Sequence, residues 1–357
     1  MKYDLDFKDH LEANYTRKAN SNAVNVFLEF ELTGKCQNKC FFCGNFSQAH
    51  APELDFKQLK TFIKKVSTYY LRKGKQPILS LCGGDPVLYS SFQELLLWLE
   101  RSNIPFVLKG NPSTIDDDIA WLLQKHGCRG VKFTFLGEEE LHNKARGNET
   151  VSDLVQKSNL LQSMGMPVLW NLTVGKFNLN SIIKSLPFIQ KAQPDGIMIG
   201  RLAQIGKLNG NDSQEEVTPG EFKAFLTVIL DYYYENYKKG FNLSFKEKLW
   251  LPFLAEQGLL DMENLNIAPT QLGCDAYCRA FNVNSRGEIT LCGLLSSYQA
   301  VALQDFDIEK VLNLRTLSVE NHSHCHTCKY GPYCQGCRAM ALANTGDIYA
   351  KDPHCWL

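Results

Sequence analysis

The sequence has no stretch of about 18 uncharged apolar residues, so nothing in it reads as a helical membrane span. Its first ten residues, MKYDLDFKDH, are rich in acidic side chains and lack the apolar core of a secretory signal. Neither sign of charge is in excess: Lys+Arg and Asp+Glu both total 38, so no global attraction to nucleic acid or an anionic bilayer is expected. Internal repeats and low-complexity tracts are missing as well. These absences predict a soluble, cytoplasmic protein with neither a nucleic-acid nor a membrane partner.

Cysteine, by contrast, is plentiful: 13 in 357 residues. In a reducing compartment a disulfide framework is disfavoured and an odd count pairs badly, so metal binding or redox chemistry is the expected use. From about residue 24 to 200, short β-branched or aromatic runs alternate with longer amphipathic stretches. That is the pattern of successive βα units on a mostly parallel sheet. Strands are expected at Val24–Leu32, Pro77–Leu81, Phe106–Lys109, Gly130–Leu136, Pro167–Val174 and Gly196–Gly200, with helices at Phe56–Lys73 and Ser91–Arg101.

Six units are too few for an eight-fold barrel. The expected fold is therefore α/β, a partial (β/α)6 TIM-like barrel with a small cysteine-rich C-terminal domain, and the working site belongs at the C-terminal ends of the strands. Thr218, Pro219 and Glu221 form a helix-start signature, read as a long helix leading out of the barrel. The expected division is an N-terminal extension over 1–23, a core barrel over 24–240, and linker helices with the cysteine-rich domain over 241–357. Eight of the cysteines fall in that last part, where apolar runs are short and metal staples are the available substitute.

Cys36-x3-Cys40-x2-Cys43 follows directly on the first expected strand, so three thiols sit on a loop at the C-terminal edge of the sheet. Three thiolates hold three irons of a [4Fe–4S] cube and leave the fourth open. A zinc site completed by a distant ligand is the alternative. The spacing, with Phe42 before the last cysteine, resembles the hallmark of the radical S-adenosylmethionine (radical SAM) superfamily. That resemblance implies a cluster donating one electron to bound S-adenosylmethionine, and a 5′-deoxyadenosyl radical abstracting hydrogen from a substrate.

Further segments follow the superfamily's order. Gly83, Gly84 and Asp85, with Pro86 after them, resemble its GGEP motif, which implies backbone contact with the cofactor's amino end at a place where a Cβ would obstruct. Thr134 and Arg146 stand where related enzymes carry groups near the cofactor's carboxylate and ribose, and a guanidinium suits a carboxylate because its fork bonds bidentately. Leu202, in GRLAQIGK, is the apolar side chain expected at the adenine; Lys109, Gly110 and Asn111 are further candidates.

The second group reads Cys274-x3-Cys278-x13-Cys292, then Cys325-x2-Cys328-x5-Cys334-x2-Cys337, then Cys355. On counting alone, eight thiols make two four-cysteine sites, either clusters or zinc ribbons. With a turn at Gly287 before Cys292, the block resembles the SPASM extension of radical SAM enzymes, although the Cys334–Cys337 spacing is one residue shorter than usual. By resemblance to sulfatase-maturating enzymes, Cys274, Cys278, Cys292 and Cys337 would hold one auxiliary [4Fe–4S] cluster. Cys325, Cys328, Cys334 and Cys355 would hold the other. The cofactors implied are thus three [4Fe–4S] clusters and S-adenosylmethionine. Cys82 and Cys128 are read as buried free thiols, and His322, His324 and His326 as non-ligating.

The resemblance also bears on substrate. Sulfatase-maturating members carry an Asp base where this chain has Gly293, which disfavours formylglycine formation. Only about 23 residues precede the first strand, so either a leader peptide is held elsewhere or by a separate leader-binding protein, or the substrate is small. The expectation is a radical SAM enzyme that modifies a ribosomally made peptide by crosslink, thioether or epimerisation. A small-molecule dehydrogenase and a non-enzymatic zinc or cluster scaffold are the alternatives. An electron donor such as flavodoxin or ferredoxin is the implied partner.

Overall fold

A computed structural model describes residues 2–44, 52–205, 208, 216–262, 267–272, 274, 281–295, 298–308 and 321–357. Six parallel strands carry the fold: β1 Asn25–Thr33, β2 Gln76–Gly83, β3 Phe106–Lys109, β4 Cys128–Phe135, β5 Val168–Val174 and β6 Gly196–Arg201. They lie in sequence order in one sheet. Each expected strand is present, its ends shifted by at most two residues. In β5, VLWNLTV, burial alternates perfectly, with Trp170 fully enclosed and stacked on Phe135 at 5.2 Å. A side chain of that kind contributes roughly 1.5–3 kcal/mol by leaving water.

The N-terminal segment is part of this body. Helix α1, Leu5–Val24, buries Phe7, Leu11, Tyr15 and Ala19 in the main core, and Tyr3 donates to Asp231 at 2.7 Å. The partner carrying Asp231 is the helix Pro219–Asn236, which opens with the expected capping box at Thr218 and Glu221. That helix does not lead out of the barrel, as the sequence suggested. It is the sixth crossover: the chain returns as β7, Leu243–Ser244, which pairs parallel with β6.

The cysteine-rich region joins the same sheet from the other side. Strand β8, Phe281–Val283, pairs parallel with β1, and β9, Glu288–Thr290, returns antiparallel through a turn at Gly287, whose φ is +76°. With β10, Val301–Ala302, the sheet has ten strands in the order β10-β9-β8-β1-β2-β3-β4-β5-β6-β7. The sheet therefore runs across the expected boundary near residue 240. This brings Cys292, which follows β9, to the mouth of the barrel.

Candidate active site

A cavity of about 540 Å³ opens at the C-terminal ends of the strands, and Cys36, Cys40 and Cys43 all line it. A polar network encloses these thiols. Arg146, at the end of the helix Glu139–Arg146, grips Glu149 with Nε at 3.1 Å and Nη2 at 2.7 Å; Nη2 also donates to Asn111 Oδ1 at 2.7 Å, and Nη1 to Cys40 Sγ at 3.5 Å. Asn111 Nδ2 donates to Cys36 Sγ at 3.4 Å and to Asp85 at 3.0 Å. Burial pushes the Cys40 thiol up, and the Arg146 cation opposes it. A cationic fork beside a thiolate favours the ionised form that binds iron. Glu149, Asn38 and Thr114, which complete the network, carry no sequence signal of their own: their partners lie 3 to 111 residues away.

The expected cofactor contacts divide into two groups. Gly83, Gly84, Thr134 and Arg146 line the cavity. Asp85 does not: it is fully buried, accepts from Asn111 and from Thr114 Oγ1 at 2.7 Å, and caps the turn after β2 through Val87 N–H at 3.2 Å. Its side chain lies behind Asn111 and off the cavity wall. The glycines also have an internal reason. A Cβ at Gly83 would lie 2.4 Å from Thr33 O, and one at Gly84 would lie 2.2 Å from Lys35 O, so close passage of the β1 backbone demands both. Phe42 stacks on Phe177 at 5.9 Å, away from the cavity wall, and Leu202 packs towards Gly175; the apolar side chain of that segment on the cavity is Ile205.

Beyond the cysteines the cavity wall is charged. Lys109, Lys132 and Lys246 share it with Glu29 and Glu31. Burial works to raise Glu29, but the ion pair with Lys109 prevails and holds it below the usual carboxylate range. Glu31 is pushed up to about 7 by burial and by the neighbouring Glu29 charge, against the Asn282 Nδ2 bond at 3.1 Å. A Cβ at Gly293 would lie 3.2 Å from Glu31 Oε1 and 3.4 Å from Glu29 Oε1. Two carboxyl groups thus flank the side-chain-free position after Cys292. Cys82 lines this wall, its thiol raised by burial, whereas Cys128 is buried and donates to Gly130 O at 3.4 Å.

The second cysteine group gathers into two places. Cys274, Cys292 and Cys337 meet in a small cluster with Leu291, Leu295 and Ala339, while Cys278 lies outside the described residues. Cys325, Cys328, Cys334 and Cys355 line one enclosed cavity. Gly331 lets the chain turn over it: a Cβ there would meet Cys325 O at 2.0 Å. Among the described residues no three His, Cys, Asp or Glu side chains converge as a single metal ion requires. In a cubane each thiolate binds a separate iron, so four thiols around one cavity suit such a group. His322 is buried, which drives it down to about 4, and His326 hydrogen-bonds His322 O at 2.7 Å; His324 borders the four-cysteine cavity.

A buried ion pair joins the end of β6 to the C-terminal loop. Arg201, at the end of β6, donates to Asp352 at 2.7 and 2.9 Å and to Glu247 at 2.8 Å; Asp352 also accepts from Cys337 N–H at 2.6 Å and His354 N–H at 3.0 Å.

Comparison with known proteins agrees with this geometry. Residues 30–186 match the radical SAM superfamily. The chain is 26% identical over 349 residues to an AdoMet-dependent heme synthase of Methanosarcina barkeri, covering 92% of this chain and 95% of that protein. It is 22% identical over 356 residues to an Fe-coproporphyrin III synthase of the same organism, covering 92% and 87%. Among solved structures, anSMEcpe with bound AdoMet superposes with a TM-score of 0.71 at 18% identity, covering 93% of this chain and 94% of that one. Streptococcus suis SuiB bound to S-adenosylmethionine gives 0.69 at 15%, covering 94% and 78%. The part of the chain that carries Cys36, Cys40 and Cys43 thus matches the radical SAM superfamily.

Proposed function

We propose that the chain is a three-cluster radical SAM oxidoreductase whose substrate is a carboxylate-bearing molecule held between the cofactor and the first auxiliary site. Cys36, Cys40 and Cys43 hold the radical cluster. Cys274, Cys278, Cys292 and Cys337 hold one auxiliary cluster, and Cys325, Cys328, Cys334 and Cys355 the other. When bound, the first cluster and S-adenosylmethionine supply the hydrogen-abstracting radical. The chain's own residues hold the thiols (Asn111, Arg146), anchor that fork (Glu149) and shape the substrate chamber. An electron donor of the flavodoxin or ferredoxin kind supplies the reducing equivalent.

The observation that carries the substrate class is the charge of the chamber: three lysines face two glutamates, of which Glu31, pushed up to about 7, is only half ionised near neutrality. Net positive charge in a recessed, partly desolvated site selects an anionic group. The names of the sequence relatives include a coproporphyrin, a tetrapyrrole bearing carboxylate side chains, which supports the same class. A cavity of about 540 Å³ that must also take the cofactor admits only the reacting end of such a molecule. Glu31 is the group suited to hold or accept a proton there.

Peptide modification is the second reading, favoured by an apolar side chain on the cavity wall, Leu294, which is 39% exposed. Anaerobic reconstitution with iron and sulfide tests the cofactor set: about twelve irons per chain and slow formation of 5′-deoxyadenosine are expected on reduction with S-adenosylmethionine. Cys40→Ala is expected to abolish that product and keep about eight irons, and persistent cleavage would overturn the radical-site assignment. Iron coproporphyrin III that speeds 5′-deoxyadenosine formation supports the carboxylate reading. A response only to a peptide encoded beside the gene replaces it with the second.

A further inference from the structure

We infer that Arg338 donates hydrogen bonds to the iron–sulfur group held by Cys325, Cys328, Cys334 and Cys355, and that its cation keeps that group's reduction potential high. The inference rests on the reading of those four thiols as a cluster site. Arg338 begins the helix Arg338–Thr345 and is 1% exposed. One nitrogen is spent on the backbone: Nη1 donates to Ile348 O at 3.0 Å and Ala350 O at 2.6 Å. Nε and Nη2 are sealed from solvent and have no hydrogen-bond partner. A buried guanidinium edge without an acceptor costs several kcal/mol, so an acceptor belongs there.

The surroundings point to sulfur. Gly336, on the wall of the four-cysteine cavity, has no side chain between that space and Arg338; a Cβ there would stand 3.0 Å from Nη2. The Arg338 cation is also close enough to act electrostatically on Cys325. The nearby acid is already engaged, since Asp352 answers Arg201 and the N–H groups of Cys337 and His354. His322, held near 4 by burial and by this same cation, is neutral and brings no countercharge. A four-thiolate [4Fe–4S] group is anionic and rich in acceptors. Hydrogen bonds to its sulfurs and nearby positive charge stabilise the reduced form, which carries one more electron.

The test uses the full chain with Cys36, Cys40 and Cys43 all replaced by Ala, reconstituted so that only the auxiliary clusters give a paramagnetic signal on reduction. Redox titration of this background is compared with the same chain carrying Arg338→Gln or Arg338→Lys. In the Gln variant one of the two signals is expected to shift so that its reduced-to-oxidised ratio at a fixed potential falls about tenfold, or about 59 mV for one electron, with the other unmoved. Lys keeps the charge but not the fork, and a smaller shift in the same signal is expected. Iron held at about eight per chain with both potentials unchanged in both variants would overturn the inference. Should the Gln chain lose iron, the Lys chain decides by the same criterion. Fewer than about eight irons in the background chain itself would defeat the two-cluster reading instead, before Arg338 is touched.

Discussion

Glu31 is the residue whose behaviour the geometry constrains most directly. Its carboxyl sits on the chamber wall, receives one hydrogen bond from Asn282 and is pushed up to about 7 by burial and by Glu29. A folded-state pKa above the unfolded one means the folded chain binds the extra proton between the ordinary carboxylate range and about 7. Stability from this group is therefore present below that window and is lost as pH rises through it, in all about 3 kcal/mol. Glu31→Gln should flatten the decline of denaturant stability between pH 5 and 8; an unaltered slope would show that Glu31 titrates normally. At this scale the cysteines and the paired glycines stood out because their spacing along the chain is itself the signal, whereas Arg146 was singled out by resemblance alone. Glu149, Asn38 and Glu31 were not. Each is an ordinary acid or amide in sequence, and its role comes from neighbours brought in by other strands.

Elements were legible where a local rule governs them. The capping box at Thr218 and the alternating strand β5 read from adjacent residues, and both are present. What the helix at Pro219 connects did not read, because a cap fixes where a helix starts and not where its far end goes. The close passage of β1 and β2 gives an element-scale prediction. A methyl at Gly84 would collide with Lys35 O, and the strand end must then move, carrying the loop that bears Cys36. Gly84→Ala should lower 5′-deoxyadenosine formation at least about tenfold while leaving about eight irons on the C-terminal thiols. Loss of all iron would mean the change acts on the whole fold and not on this loop.

For the whole molecule, the ion pair between Arg201 and Asp352 ties the last core strand to the final loop. Asp352 is held at about 2: burial works to raise it, but Arg201 and two backbone N–H groups prevail. It is therefore ionised at every working pH, and its contribution is lost only in acid, as pH falls towards 2. Removing one partner leaves a buried charge half-answered, at a cost of about 3–5 kcal/mol. Asp352→Asn should lower the urea midpoint and release iron from the C-terminal thiols first, since the amide keeps only one acceptor oxygen for Arg201 and the N–H groups of Cys337 and His354. A variant with wild-type midpoint and iron content would show the pair to be dispensable.

By itself the sequence determined an α/β scaffold of successive βα units and a three-cysteine loop whose spacing resembles the radical SAM hallmark. Cysteine spacing and strand periodicity are local patterns, and a few adjacent residues suffice to write them. Tertiary structure decided that the N-terminal helix belongs to the core, that β8 extends the barrel sheet, and that Asp85 supports Asn111 rather than facing the cavity. It also decided that Glu31 and three lysines share the chamber wall. Each of these depends on which surfaces meet after folding, where long-range burial and charge set the outcome.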